Sequence, residues 1–289
     1  MKEEQNSKEY FSLSHPQYRI WYTEQSLGDC AINNIGGLIF FDGNIDCKIL
    51  KETLKYILQN NVALNLRFTE QNGEPQQYIF YDKFYEVKYS DLSRYNNPKN
   101  ELYKMAKHNM TVPFCLKDSS LYDFQLFKLA DDKYAILVKL HHLICDGWSF
   151  GLIVQQINYI YSKLINQEEV CIDSYSYLNY IEKEQKYLNS ERFIRDKKFW
   201  NDKYNTIPNE YQVTKNDICT SSDRVTFCLD EKETETIRQF VKNKRISLNV
   251  LCIACMALYI SKSLNKQDVT IGIPIYNRGG KTKKSIGMF

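Results

Sequence analysis

The sequence predicts an α/β protein built as two lobes. Three observations carry this reading. A chain of 289 residues can bury a large core and is long for one compact domain. Strand-like and helix-like patterns follow one another along it. Near its middle, KYAILVKLHHLICDGWSFGLI (Lys133 to Ile153) runs from an apolar strand through a polar turn straight into a helix.

That central stretch organises the rest. Tyr134 to Leu140 is too short for a membrane span and too apolar and β-branched for an exposed helix, so it reads as a strand buried on both faces. It ends in two histidines, His141 and His142, with Asp146 and Gly147 following. Successive strand side chains point to opposite faces, so the two imidazoles cannot enter one cavity. One turns inward to be held by the protein and the other faces an opening. Asp146 stands where a helix N-cap belongs, and Gly147 lets backbone approach a neighbour or a substrate closely. A lone histidine at a strand end, or a lone capping aspartate, is an ordinary structural solution. The three polar groups at this spacing point to chemistry.

His141-His142-Leu143-Ile144-Cys145-Asp146-Gly147 resembles the HHxxxDG motif of condensation domains from nonribosomal peptide synthetases, which belong to the wider chloramphenicol acetyltransferase superfamily. Trp148-Ser149 is the continuation common in peptide-bond-forming members. The resemblance implies a two-lobed, chloramphenicol acetyltransferase-like α/β sandwich, with residues 1–170 as the lobe carrying the motif and 171–289 as a second lobe only partly present.

Composition sets bounds around this. Hydrophobic residues make up 43% and charged residues 25%, ordinary for a globular protein. The formal net charge is +3, and the densest basic cluster, Lys281, Lys283 and Lys284, reads as a solvated loop, so no nucleic-acid partner is expected. The polar start MKEEQNSKEY does not read as a signal peptide, and no apolar run reaches transmembrane length. Nine cysteines, several within apolar runs, read as free thiols in a reducing cytoplasm. Cys252 and Cys255 form a CxxC inside a buried helical pattern with no second pair, so no metal site is expected.

In chain order, residues 10 to 25 contain a helix start, with Ser14 as cap and Pro16 in the first turn. Ser14, Gln17, Arg19 and Trp21 also match the family's first motif, Ser-x-x-Gln-x-Arg-x-Trp. Ile32 to Phe41 reads as a strand ending at the turn Asp42-Gly43, and Asp46 to Ala63 as a helix with Ile49, Leu50, Leu54, Ile57 and Leu58 on one face. The family's second motif, Arg-His-Glu-x-Leu-Arg, is replaced by Asn60-Asn61-Val62-Ala63-Leu64-Asn65, with Arg67 supplying a base two positions late.

Gln77 to Tyr81 and Tyr85 to Tyr89 are strand candidates, and Pro98 to Met110 a helix with His108 near its end. Leu121 to Leu129 and Tyr134 to His142 form a hairpin across Ala130-Asp131-Asp132. Phe150, Ile153, Val154, Ile157, Tyr161 and Leu164 give the helix after the motif a 3.6-residue period. Residues 167 to 176 read as the crossing between lobes, and Tyr177 to Tyr204 as helical. Arg224 to Leu229 alternates as a strand, Lys232 to Lys242 is helical, and Leu248 to Ile260 is apolar nearly all round, hence a buried helix. Val269 to Ile275 reads as a strand leading to Asn277-Arg278, and IGIPIYNR resembles a family segment whose arginine pairs with the motif aspartate. The terminal Ile286-Gly287-Met288-Phe289 resembles the opening of a further family motif, so the chain is expected to cover part of a condensation domain.

The resemblance implies amide-bond formation between a carrier-bound acyl or peptidyl thioester and a carrier-bound aminoacyl acceptor. His142 is expected to be base or amine-positioning group, His141 to buttress the turn, and Asp146 to be tied to Arg278 from the other lobe. The Gly147 and Trp148 amides would polarise the carbonyl region, with Arg19 as further support. No cofactor would bind directly; the phosphopantetheine arms would come from donor and acceptor peptidyl carrier proteins, beside an adjoining adenylation domain. The alternatives are a free-standing acyltransferase using coenzyme A, an epimerising relative, and a non-catalytic scaffold. The cyclising branch, which replaces the histidines with aspartate, is excluded by His141-His142.

Overall fold

A computed structural model of the chain describes residues 9–28, 30–82, 85–173, 175–205 and 225–289. Strand β1 (Tyr10–Ser12) leads into helix α1 (His15–Leu27), whose cap Ser14 and N3 residue Gln17 close a reciprocal capping box. Strand β2 (Asn34–Asp42) and helix α2 (Cys47–Asn60) follow; α2 is capped by Asp46 and ends in a 3-10 turn at Val62–Asn65. Next come β3 (Leu66–Gln71), β4 (Glu74–Ile79), β5 (Lys88–Asp91) and α3 (Pro98–Thr111). The hairpin β6 (Tyr122–Ala130) and β7 (Lys133–His141) runs into α4 (Gly147–Ile165). The remaining helices are α5 (Tyr177–Leu188), α6 (Glu191–Lys203), α7 (Glu231–Lys244) and α8 (Leu248–Leu264).

Two sheets form. One is ordered β2-β7-β6-β5, antiparallel except for the parallel β5–β6 pair; the other is ordered β1-β4-β3. Strand β7 lies inside the larger sheet and is buried along all but its first residue, as its largely apolar run requires, with Lys139 the one charged residue buried in it. Alternation assigns its two faces. Ile136, Val138 and Leu140 join a core with Leu50, Leu54 and Ile57 of α2 and Ile153, Ile157 and Ile160 of α4. Ala135 and Leu137 pack with Leu102 and Ala106 of α3. Strand β2 approaches β7 so closely that a Cβ on Gly36 would lie 2.1 Å from the Val138 carbonyl oxygen, which reserves the position for glycine.

Contacts divide the chain into two compact units, Met1–Arg195 with Asn277–Phe289, and Asp196–Tyr276. This differs from the division expected at residue 170. Tyr177, Ile181, Ile286 and Phe289 are buried in the core of the first unit, which keeps α5 and the last residues with it.

Several expectations change. The long helix expected from Tyr177 to Tyr204 breaks at Asn189-Ser190, where both side chains bond back to carbonyls of the preceding turn. Residues 225–229 and 269–275 are not strands, because no described residue pairs with their backbones; Arg224 lies outside the described residues. Helix α8 is not buried: Leu248, Val250, Met256, Leu258 and Tyr259 are exposed, as are Cys252 and Cys255. An all-round apolar surface specifies that a helix can be buried, and its neighbours decide whether it is. Among the described residues no single helix is long and apolar enough to cross a membrane.

Candidate active site

His141 closes β7 facing inward and is 1% exposed. Its Nδ1 accepts from the Leu143 amide at 3.2 Å, so Nε2 carries the proton and donates to Glu24 Oε1 at 2.9 Å. Glu24 comes from α1, on the face shared with Gln17 and Trp21, and also accepts from Asn33 Nδ2 at 3.0 Å and Cys30 Sγ at 3.5 Å. Burial pushes the Glu24 carboxyl up, but the hydrogen bonds from His141, Asn33 and Cys30 outweigh it and hold the carboxyl below its ordinary value. The resulting stability is present above the carboxyl's unfolded pKa and is lost as pH falls through its lower folded one. Glu24→Ala would strand buried donors on His141 and Asn33. It is expected to lower stability by about 1–3 kcal/mol in urea denaturation; an unchanged midpoint would remove Glu24 as the anchor of His141.

His142 is the first residue past the strand and is half-buried. Its amide donates to the Asn33 carbonyl at 2.9 Å, which continues the β2–β7 ladder by one rung and fixes the turn. Its Nδ1 is buried with no hydrogen-bond partner. Burial, then the neighbouring His141, lower its pKa; Asp146 pulls the other way without cancelling them. The imidazole is therefore neutral at neutral pH. One ring is thus locked against Glu24, and the other is half-buried beside it.

The turn is clamped from both sides. Gln17 Nε2 donates to the Leu143 carbonyl at 2.9 Å, tying it to α1. Asp146 caps α4, its Oδ1 accepting from the Ser149 amide at 2.8 Å, and receives Arg278 through Nη2 at 2.8 Å to both oxygens and Nε at 3.2 Å. The Arg278 side chain is completely buried. Its other hydrogen bonds go to the Thr282, Ser285 and Gly287 carbonyls at 2.9, 2.6 and 3.3 Å and to Ser149 Oγ at 2.7 Å, and its guanidinium lies 3.8 Å from the centre of the Phe289 ring. Arg278, expected from the far lobe, belongs to the same compact unit as Asp146.

The final residues seal this network. The Gly287 carbonyl accepts from the Asp146 amide at 3.2 Å and from Ser149 Oγ at 2.9 Å, and Tyr177 hydrogen-bonds Ser14 Oγ and the Met288 carbonyl. A Cβ on Gly287 would sit 2.2 Å from the Tyr177 ring. Gly287→Ala is therefore expected to destabilise by about 1–3 kcal/mol in thermal melting; wild-type stability would mean that the ring can move aside.

His141, His142, Asp146 and Arg278 thus meet around one turn, as their motifs predict. Trp148 joins them through its indole, which donates to the Lys283 carbonyl at 2.9 Å. Gly147 is exposed, and nothing lies within 4 Å of where its Cβ would be, so no neighbour in the chain demands a glycine there. Arg19 is exposed on α1, outside this hydrogen-bonded group. Arg67, the late base of the altered second motif, is buried, donating to the Leu66 carbonyl at 3.0 Å and to Ser120 Oγ at 2.8 Å. Sequence reasoning missed Glu24, Asn33, Ser149 and Tyr177. The signal for Glu24 was available: with Gln17 and Trp21 it recurs at helical spacing on a core-facing stripe, where an acid needs a partner.

A paired layer of sheet and helices, with two histidines at the end of a buried strand and an arginine-locked aspartate capping the next helix, defines a chloramphenicol acetyltransferase-like α/β domain. Comparison with known proteins makes the class specific: the profile of the Condensation domain family matches residues 7–289, and the chain belongs to that family. A plipastatin synthase subunit of Bacillus subtilis (strain 168) is 31% identical over 98% of this chain, and a surfactin synthase subunit of the same strain 28% identical over 97%. The chain spans only 11% and 8% of the length of those relatives. Among solved structures, the first condensation domain of the calcium-dependent antibiotic synthetase superposes with a TM-score of 0.80 at 20% identity, over 97% of this chain and 68% of that one. The starter condensation domain of rhizomide synthetase, in complex with C8-CoA and Leu-SNAC, gives 0.82 at 21% identity, over 96% and 64%. At these identities the likeness establishes the fold.

Proposed function

We propose that the chain catalyses amide-bond formation, transferring an acyl or peptidyl group from a carrier-bound thioester to the amine of a carrier-bound aminoacyl acceptor. The observation that carries this is His142: a half-buried, neutral imidazole beside a second imidazole already committed to Glu24. A thioester is reactive enough that no covalent enzyme intermediate is needed. Holding donor and acceptor together supplies up to about 7–11 kcal/mol in favourable cases. The attacking amine must lose a proton, and a neutral imidazole accepts it. Asp146 and Arg278 hold the turn, while the exposed first turn of α4 at Gly147 and Trp148 offers amides to the carbonyl region.

The partners on this reading are donor and acceptor peptidyl carrier proteins bearing phosphopantetheine, with an adenylation domain to load the acceptor. Eight free cysteines among the described residues fit a reducing, cytoplasmic setting. A second reading replaces the donor carrier by a soluble acyl-coenzyme A, favoured by the rhizomide starter domain in its complex with C8-CoA. One experiment separates them: the chain is incubated with a loaded aminoacyl carrier and either an acyl carrier or an acyl-coenzyme A, and the products are read by mass spectrometry. Amide only from the acyl carrier supports the first reading, amide from acyl-coenzyme A the second. Amide from neither overturns both.

A further inference from the structure

Just before β2 the chain makes a turn over Ala31 to Asn34, closed by the Asn34 amide on the Ala31 carbonyl at 3.0 Å. Asn34 then pins the start of β2, its Nδ2 donating to the Met110 and Val112 carbonyls at 2.9 and 2.8 Å. Asn33, the residue before it, reaches both histidines from this turn. Its side-chain Nδ2 donates to Glu24 Oε1 at 3.0 Å, the same oxygen that accepts from His141 Nε2 at 2.9 Å. Its backbone carbonyl accepts from the His142 amide at 2.9 Å. A carboxylate only accepts, so the NH₂ of Asn33 is the end that faces Glu24.

These bonds close a ring. It runs from the His141 imidazole to the Glu24 carboxylate and on to the Asn33 side chain. From there it passes through the Asn33 carbonyl to the His142 amide, and back along the peptide bond that joins the two histidines. His141 is the last residue of β7 paired with β2, opposite Asn34, and its ring is buried. His142 lies one residue beyond the paired strand, where the main chain is free to turn. The Asn33 carbonyl fixes its amide there.

We propose that Asn33 is a positioning residue: by bonding Glu24 with its side chain and His142 with its carbonyl, it sets the outer imidazole relative to the buried one. The assignment rests on His142 as the proton acceptor of the proposed reaction. Losing the side chain leaves the carbonyl in place chemically but unties it from Glu24, and small losses of alignment at a reacting group are costly in rate.

Asn33→Ala tests this in the full chain. Amide hydrogen exchange should show the His142 amide losing protection by about tenfold or more, with the interior of β7 unchanged. In the amide-forming assay kcat should fall by about 10–100-fold with KM within about twofold of wild type, since the group aligns the reaction without binding substrate. Added to His142→Ala, Asn33→Ala should cost nothing further, because the imidazole it positions is gone; general damage to the fold would multiply the two losses. Asn33→Asp sets a second carboxylate against Glu24, so its rate relative to wild type should rise as pH falls and a shared proton restores the bond. That response decides the matter should Asn33→Ala fail to fold. Unchanged exchange at His142, a wild-type kcat, multiplying losses or a flat Asn33→Asp ratio each overturns the proposal. His142→Ala at the wild-type rate overturns the proposed function instead, and the exchange measurement then decides by itself whether Asn33 holds His142.

Discussion

Asp146→Ala is expected to lower the melting temperature by roughly 6–20 °C. The substitution removes the carboxylate that faces Arg278, whose side chain is fully buried and reaches both Asp146 oxygens. Breaking a buried ion pair from one side typically costs about 3–5 kcal/mol, because the remaining charge keeps its desolvation penalty and loses its partner. For a unit of this size each kcal/mol corresponds to about 2–4 °C. The α4 cap goes with the carboxylate, since Asp146 Oδ1 also accepts from the Ser149 amide. Replacing both partners, Asp146→Leu with Arg278→Leu, should recover part of the loss, because exchanging a whole buried pair for apolar groups is far less costly than halving it. Thermal melting of the two single variants and the double variant measures the coupling. Unchanged melting of Asp146→Ala with lost activity would move the aspartate from scaffold to chemistry.

His142→Ala should do the reverse, cutting amide formation by about 10²–10⁴-fold while leaving stability nearly unchanged. The side chain is half-buried and its Nδ1 makes no hydrogen bond, so its removal breaks none at that nitrogen. The pH profile sharpens the test. Burial and His141 lower the His142 pKa, so the neutral, proton-accepting form persists below pH 6.5. The rate should hold at mildly acidic pH and fall only as pH drops through that lowered value. His142→Ala should abolish this acid limb along with most of the rate. A variant that keeps the wild-type rate would exclude the imidazole from the reaction. His142→Asn retaining it would show that the ring positions the amine rather than taking its proton.

The strand, the turn and the helix around the two histidines were legible because each is written in adjacent residues. The apolar run from Tyr134 to Leu140 specifies burial on both faces, period-two alternation separates the imidazoles, and Asp146 caps the helix after the turn. The Arg278 contact was legible only through the resemblance of IGIPIYNR, since nothing local marks that arginine as buried. For Glu24 the helical spacing with Gln17 and Trp21 marks burial, but its partner His141 lies too far along the chain for any local pattern to name. The same limit explains α8 and the strands expected at 224–229 and 269–275. Their patterns state what each segment could pair with or be covered by, and the described chain supplies neither.

Local sequence, then, specified the elements and the chemistry at the end of β7, because capping, alternation and turn formation act over a few residues. Packing chose the partners. Glu24 and His141 are 117 residues apart and Asp146 and Arg278 132, and such pairs form only when the core brings distant elements together. Burial then lowered the His142 pKa, since the cost of desolvating a charge depends on surroundings that no stretch of sequence contains.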